Sequence, residues 1–457
     1  MALLVFLIVI LALAPLPFGS VTDFWQSVLA GLSFALAGAA ILTSRDQALW
    51  PPTGQPLVGV AAALFCAALA WALVQALIPG LFPHPAWATI QDTLGGPVAG
   101  TISLDPYATL LDTISLAALG AVFLAAVLIG RDARAARRVV VGLSIICATY
   151  AAYGLIVFAS GNDMVAWIEK RHYLSSLTGT FINRNSFGVF MGLGVLAAIA
   201  VLLSTLTAIV SDMSERRRDA LRITVEAFTS RLWIWLFMAG VCATALLLTG
   251  SRGATAATLF AVIVFVIAYM MARRASTSSI ASLIVFLMLG GGILLYLSGD
   301  FLLFRLADQF DEGLGGRAEI YANATATMRD HLWLGAGYGA FEDAYAFYST
   351  GEGPFFKRIA AAHNVYLELI IELGLPAALI LLASVALCLF TCLRGIATRR
   401  RDRMYPSLAV AAAVLLGFQG VFDFGIQTPA IATLFAAILG IGVAQSVSSR
   451  SRRKARM

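Results

Sequence analysis

Apolar runs of eighteen or more residues recur from one end of this chain to the other. A run of that length is long enough to cross the hydrocarbon of a bilayer as a helix. One such run could be the buried centre of a soluble domain, but repetition rules that out. Twelve apolar segments are centred near residues 10, 34, 67, 120, 149, 198, 240, 262, 288, 380, 413 and 438. Only 12% of the 457 residues are charged, against about 25% in an ordinary globular domain. The expected fold is an all-α integral membrane protein with about twelve transmembrane helices. The first segment is expected to stay in place rather than be cleaved as a leader. No Lys or Arg precedes it, and Pro15 follows the small-residue stretch Leu11-Ala-Leu-Ala14.

The net charge of +6 matters less than its placement. With both termini inside, the inner loops and tail hold 22 of the 31 Lys and Arg, including the run Arg131 to Arg138 and the tail Arg450 to Arg456. The reverse topology would break the positive-inside rule. The expected organisation is therefore nine helices over 1–298, with outside loops near 79–110 and 160–186. A large outside loop follows over 299–363, then three more helices over 364–447 and a basic tail over 448–457. Such a tail faces anionic lipid headgroups, and nucleic acid is not an expected partner. The five cysteines lie in apolar runs with no CxxC or disulfide frame, and read as small buried packing residues. No internal repeat marks an inverted-repeat transporter.

All four histidines, His84, His172, His331 and His363, fall in outside loops. The large loop carries Arg317 and Glu319, the run Trp333-Leu-Gly-Ala-Gly-Tyr-Gly339, and His363-Asn364 at its end. Loops this long are usually lids or binding elements. Local helices are expected over Glu319–Met328 and Glu342–Phe347, with a Gly-rich turn between.

Five outside constellations could carry chemistry. Arg184, flanked by Asn183 and Asn185, can present several donors to an anionic oxygen, or can cap a helix start and snorkel. Arg252, in a turn of almost no length, sits close to the hydrocarbon boundary, where charge is costly and often functional; its plainer role is to reach headgroup phosphates. Arg317 and Glu319, two apart, do not face each other on a helix, so Arg317 contacts phosphate or pairs elsewhere in the loop. His363-Asn364 precedes a long apolar helix, whose N-terminus carries partial positive charge and favours a neutral imidazole. A neutral His is a competent general base at pH 7; its plainer role is a cap. The other three histidines lack this framing and read as structural. Asp423 lies with Gln427 and Pro429 between the last two segments. Glu368 and Glu372 share one helix face, and Pro376 is expected to kink or divide that helix. For these acids the expected role is ion pairing that orients the arginines. The chain has no DxD pair, Walker loop, HExxH or Cys/His zinc spacing. Asp308, Asp311 and Glu312 form an acidic cluster that reads as a solvated loop or, alternatively, a cation site.

In order, these pieces resemble the O-antigen ligase and polymerase family of bacterial envelope proteins. The carrying residues are Gly179-Thr-Phe-Ile-Asn-Arg-Asn185, Thr249-Gly-Ser-Arg-Gly-Ala254, Gly316-Arg317, Trp333-Leu-Gly-Ala-Gly337 and His363-Asn-Val-Tyr-Leu367 with Gly374. At Ala377 the chain departs from the ligase pattern, which has Gly, Thr or Tyr three residues after that glycine. The resemblance implies the fold of the multi-spanning, lipid-phosphate-dependent glycosyltransferases. It implies a donor glycan on undecaprenyl pyrophosphate, an acceptor hydroxyl on lipid A-core or another glycan, and chemistry on the periplasmic side of the inner membrane. It further implies His363 as base, Arg184 and Arg252 on the pyrophosphate, and no need for metal or cofactor; Arg317 is expected in a lid, and a single displacement is expected to invert the sugar. Asn183, Asn185, Asn364, Glu368 and Asp423 would support these groups. Ligase and polymerase remain alternatives, and a polysaccharide or lipid transporter or flippase is the alternative of another class.

Overall fold

The computed structural model describes residues 1–43, 56–161, 163–215, 232–272, 320–347, 359–399 and 401–447. Among them eleven of the twelve expected apolar segments are helices. These are α1 (Ala2–Leu13), α2 (Asp23–Thr43), α3 (Pro56–Leu77), α5 (Pro106–Ile129), α6 (Ala133–Ala159), α7 (Arg184–Glu215), α8 (Trp233–Leu248), α9 (Arg252–Ala272), α13 (Leu375–Thr398), α14 (Met404–Gln419) and α15 (Pro429–Gln445). Seven of these are long and apolar enough to cross a membrane, while α1, α8, α14 and α15 are shorter apolar helices. The segment near 288, Arg317, the acidic cluster at Asp308 to Glu312 and the basic tail lie outside the described residues.

Between these helices lie smaller elements. Helix α4 (Ala86–Leu94) and a two-stranded ribbon, β1 (Met164–Val165) with β2 (Ile168–Glu169), occupy two of the expected outside loops. The described part of the large loop forms α10 (residues 320–330), a Gly-rich turn, and α11 (Phe341–Ala346). Both local helices fall where the sequence placed them. The chain then enters α12 (Val365–Leu373).

In lipid every backbone polar group must be bonded internally, so uninterrupted apolar helices are the available answer. Small residues then let them approach. A Cβ at Gly440 of α15 would come within 2.6 Å of the Phe123 carbonyl oxygen on α5, and one at Gly192 of α7 would collide with Thr258 of α9 and Leu415 of α14. Close approach at small residues is how helices gain packing where lipid competes with protein for apolar contact. Helix α15 is buried along nearly its whole length and α7 along most of it, so these two form the centre. The N-terminal helix packs in the same core, with Leu7, Ile10 and Leu11 buried and the Tyr150 hydroxyl donating to the Ala12 carbonyl at 2.7 Å. Four cysteines are buried as expected; Cys66 is exposed, because α3 lies at the edge of the bundle.

The helix that starts after His363 divides before Pro376, at Gly374. This glycine has φ 76° and ψ 154°, a conformation open essentially only to Gly. Pro376 sits in the first turn of α13, where it needs no N–H partner. The carbonyls left at the end of α12 are taken by the Trp333 to Gly337 segment and by α3. Ala336 N–H donates to the Ile371 carbonyl at 2.8 Å and Gly337 N–H to Glu372 at 3.1 Å. Trp71 Nε1 donates to Leu373 at 2.9 Å, and Gln75 Nε2, fully buried, donates to Leu334 and Glu372. The Trp-Leu-Gly-Ala-Gly run is thus a cradle for the end of α12. A second, smaller core of Ala324, Ala336, Phe341, Ala344, Tyr345, Ala362 and Ile371 closes over it.

Candidate active site

The loop ahead of α7 is where the first group of polar residues is set. Asn183 caps that helix, its Oδ1 accepting from the backbone N–H of Asn185 at 2.7 Å and of Ser186 at 3.4 Å. This places Arg184 and Asn185 in the first turn of α7. Arg184 donates from Nη1 to Ser176 Oγ at 3.3 Å, and its guanidinium lies 5.2 Å from the centre of the Tyr173 ring. The Asn185 amide donates to Asp423 Oδ2.

Arg252 opens α9. The turn before it is shaped by short side chains: Thr249 Oγ1 accepts from Ser251 N–H at 3.1 Å, and Ser251 Oγ from Ala254 N–H at 3.3 Å. That turn packs on Gly188, one helical turn along α7 from Arg184. Leu177 N–H donates to the last carbonyl of α8 at 3.1 Å, so the two arginine-bearing turns are tied together. The Arg252 side chain is exposed.

Asn364 caps α12 and leaves His363 just outside it. Its Oδ1 accepts from the N–H groups of Tyr366 and Leu367, both at 3.1 Å. His363 is held at φ 51°, a left-handed conformation uncommon for a residue with a side chain. Its Nδ1 lies 3.3 Å from Asp423 Oδ1, and 28% of its side chain is accessible. With Asp423 as the acceptor, a neutral His363 carries its proton on Nδ1 and its lone pair on Nε2. Asp423 is 5% exposed; its Oδ1 also accepts from Phe424 N–H at 2.9 Å. One buried carboxylate therefore joins the His363 loop, the turn before α15 and the first turn of α7.

Tyr173 and Phe424 each carry a contact to an expected site residue. The Arg184 guanidinium stacks on the first and the His363 ring lies 5.2 Å from the second. Both rings line a cavity of about 700 Å³ together with His172, Asn183 and Thr428. Of the expected site residues, Asn183 lines this cavity itself; Arg184 and His363 each touch one of its lining rings, and Asp423 bonds both Asn185 and His363.

The bonding of the acids differs from the expected pattern. Asp423 and Glu368 were expected to pair with the arginines, and among the described residues each makes other bonds. Asp423 takes His363 and Asn185, because the turn before α15 carries it between them. Glu368 accepts from Ala362 N–H at 2.8 Å and from Gln427 Nε2 at 2.7 Å, because α12 turns it away from α7. Glu368 and Glu372 are buried, at 4% and 6% exposure, beside a second cavity of about 980 Å³ that Asp112 and Tyr338 also line. Loss of hydration pushes the Glu368 carboxyl up to about 7 and holds Glu372 well above the carboxylate range; Asp112 repels both, and Glu368 repels Glu372. Tyr173, Phe424, Gln75 and Tyr321 were not singled out from sequence. Tyr321, whose hydroxyl donates to the His363 carbonyl at 3.3 Å, carried no local signal at all.

Among the described residues no three His, Cys, Asp or Glu are grouped to hold a metal ion. The chain matches no curated protein. Residues 237–382, which run from α8 into α13 and include both Arg252 and His363, match the family model described as O-antigen ligase.

Proposed function

We propose that this chain transfers a glycan from undecaprenyl pyrophosphate to an acceptor hydroxyl at the periplasmic face of the inner membrane, as an O-antigen ligase acting on lipid A-core. The family match supports ligase- or polymerase-type work in surface glycan biosynthesis by a glycosyltransferase-like enzyme, and the apolar helices support a multi-pass membrane protein. The observation that carries the finer reading is Asp423, which holds His363 by Nδ1 while gripping the helix that begins with Arg184.

In this reading His363 Nε2 takes the proton of the acceptor hydroxyl as its oxygen attacks the anomeric carbon. The bond from that carbon to the pyrophosphate oxygen breaks, and the electron pair leaves on the phosphate. Arg184 and Arg252 hold the pyrophosphate and stabilise the charge that grows on it. Arg317, outside the described residues, is assigned to the same anion. Asp423 fixes the tautomer and stabilises the imidazolium that forms. A single displacement needs no carboxylate nucleophile and inverts the sugar. Tyr173 and Phe424 offer ring faces to a sugar or isoprenoid unit in the cavity between them.

The test is glycan transfer by the purified protein in lipid nanodiscs, from a synthetic undecaprenyl pyrophosphate-linked oligosaccharide to lipid A-core. His363→Ala is expected to abolish transfer while the protein stays folded and inserted; retained transfer would remove His363 as the base. In a deletion strain, accumulation of full-length lipid-linked polymer supports the ligase, and accumulation of single repeat units assigns a polymerase instead.

A further inference from the structure

Besides the His363–Asp423 bond, three ties hold the His363 segment to the segment that carries Asp423. Val365 N–H donates to the Gly420 carbonyl at 2.9 Å, and the Tyr366 hydroxyl donates to Gly417 at 2.8 Å. Both of these join α12 to the end of α14, before Asp423 is reached. The third joins the flanks of the pair itself. Glu368 Oε2 accepts from the N–H of Ala362, the residue before His363, and Oε1 accepts from Gln427, four residues after Asp423. Glu368 has no arginine, lysine or histidine within bonding distance among the described residues. It is 4% exposed, and burying a carboxyl costs stability unless its oxygens are well bonded. Its two bonds are spent on the backbone ahead of His363 and on the turn behind Asp423.

We propose that Glu368 and Gln427 form a clasp that positions the His363–Asp423 pair, a role that rests on the glycosyltransferase reading but is carried by geometry of its own. Glu368 is a positioning residue. It touches neither the pair nor the cavity between Tyr173 and Phe424. It anchors the backbone one residue ahead of the left-handed His363 by holding the Ala362 N–H, and it anchors the Asp423 turn through Gln427. Backbone held in such a conformation persists only where its surroundings over-determine it. Tyr321 adds a bond on the His363 carbonyl, so the backbone is held at the Ala362 N–H before the imidazole and at the His363 carbonyl after it. The His363 to Asp423 distance of 3.3 Å is at the long end for a hydrogen bond, so a small displacement of either loop breaks it.

A glutamine at 368 keeps the clasp. Its Oε1 accepts from Ala362 N–H, and its Nε2 donates to Gln427 after that amide turns over. An alanine loses both bonds. The test compares Glu368→Gln, Glu368→Ala, Gln427→Ala and the Glu368→Ala/Gln427→Ala double variant, in the full chain in nanodiscs, with Tyr366→Phe as a control tie and His363→Ala in parallel. The first readout is the ¹⁵N spectrum of labelled histidine, assigned through His363→Ala. Glu368→Ala and Gln427→Ala are expected to move the His363 Nδ1 signal toward that of an unbonded ring nitrogen, and Glu368→Gln and Tyr366→Phe to leave it. The second readout is turnover. A misplaced base costs kcat on the order of 10- to 100-fold with donor KM held. The two alanine changes are expected to be non-additive, as partners in one contact are. A His363 signal unchanged in Glu368→Ala overturns the clasp, as does a Glu368→Gln variant as impaired as Glu368→Ala. A moved signal in a protein that never transfers glycan keeps the clasp and sinks the glycosyltransferase reading.

Discussion

His363 Nδ1 and Asp423 Oδ1 stand 3.3 Å apart across two loops that are sixty residues apart in the chain. The same carboxylate reaches Asn185, 238 residues away, with its other oxygen. A base whose tautomer is set by a buried acid loses turnover when the acid becomes an amide, because the amide can donate to the ring and reverse the tautomer. Asp423→Asn is expected to lower kcat at least about 100-fold, with donor KM little changed. Transfer kinetics with purified protein check this. A variant with normal kcat would leave His363 to act without Asp423.

That relationship was half legible in the sequence. Asp423, Asn185 and His363 each stood out as polar residues at the outer mouths of apolar segments. Nothing in the chain said that they meet, because contacts across 60 and 238 residues leave no local pattern. The eleven apolar helices were readable because length and hydropathy suffice for a helix that lipid surrounds. Glu368 was placed correctly on one helix face with Glu372, but which neighbour each acid would bond depended on the rotation of α12. Trp333 to Gly337 drew attention as a motif, and the Gln75 and Trp71 that complete its cradle were hidden in an apolar run.

The arginines allow a sharper comparison. Arg184 is partly engaged, with Ser176 Oγ at 3.3 Å and the Tyr173 ring beneath its guanidinium. Arg252 is exposed at the first turn of α9. Lysine would keep the charge and lose the planar fork at either place. Arg252→Lys is expected to lower kcat/KM by about 10- to 100-fold if the fork grips a phosphate in the transition state. Arg184→Lys is expected to fall at least as far, since it also loses the ring contact. Steady-state transfer rates against donor concentration separate the two, and near-normal turnover in Arg252→Lys would remove it from the anion site.

Gly374 supplies a structural prediction. A Cβ there would lie 2.5 Å from the Trp333 carbonyl oxygen, and φ 76° with ψ 154° is closed to other residues. Gly374→Ala is expected to cost about 1–3 kcal/mol from the backbone alone, and more from the collision with rigid backbone. Thermal unfolding in detergent reads it. Because the break fixes where α12 ends, the variant is also expected to lose transfer activity before it loses insertion. A stable, fully active Gly374→Ala would show that the cradle does not set the His363 helix.

His84 and His331 offer a test by pH. Their Nε2 atoms are 2.9 Å apart and their rings are nearly parallel. His331 Nδ1 lies 2.8 Å from the Thr327 carbonyl, which can only accept, so the His331 proton is on Nδ1 and Nε2 holds the lone pair. His84 Nδ1 accepts from Ala86 N–H at 3.2 Å, which leaves the His84 proton on Nε2, pointing at His331. The contact pins the loop before α4 to the end of α10. Burial, and then repulsion from His331, push His84 down to about 4 from its ordinary 6.5. The unfolded chain therefore binds more protons than the folded one between those values. The contribution of the pair is complete above about pH 6.5 and is lost as pH falls toward 4. The unfolding temperature of the wild type is expected to drop over that range more steeply than that of His84→Gln, whose side chain does not titrate. Parallel curves for the two proteins would show that the pair carries no proton linkage.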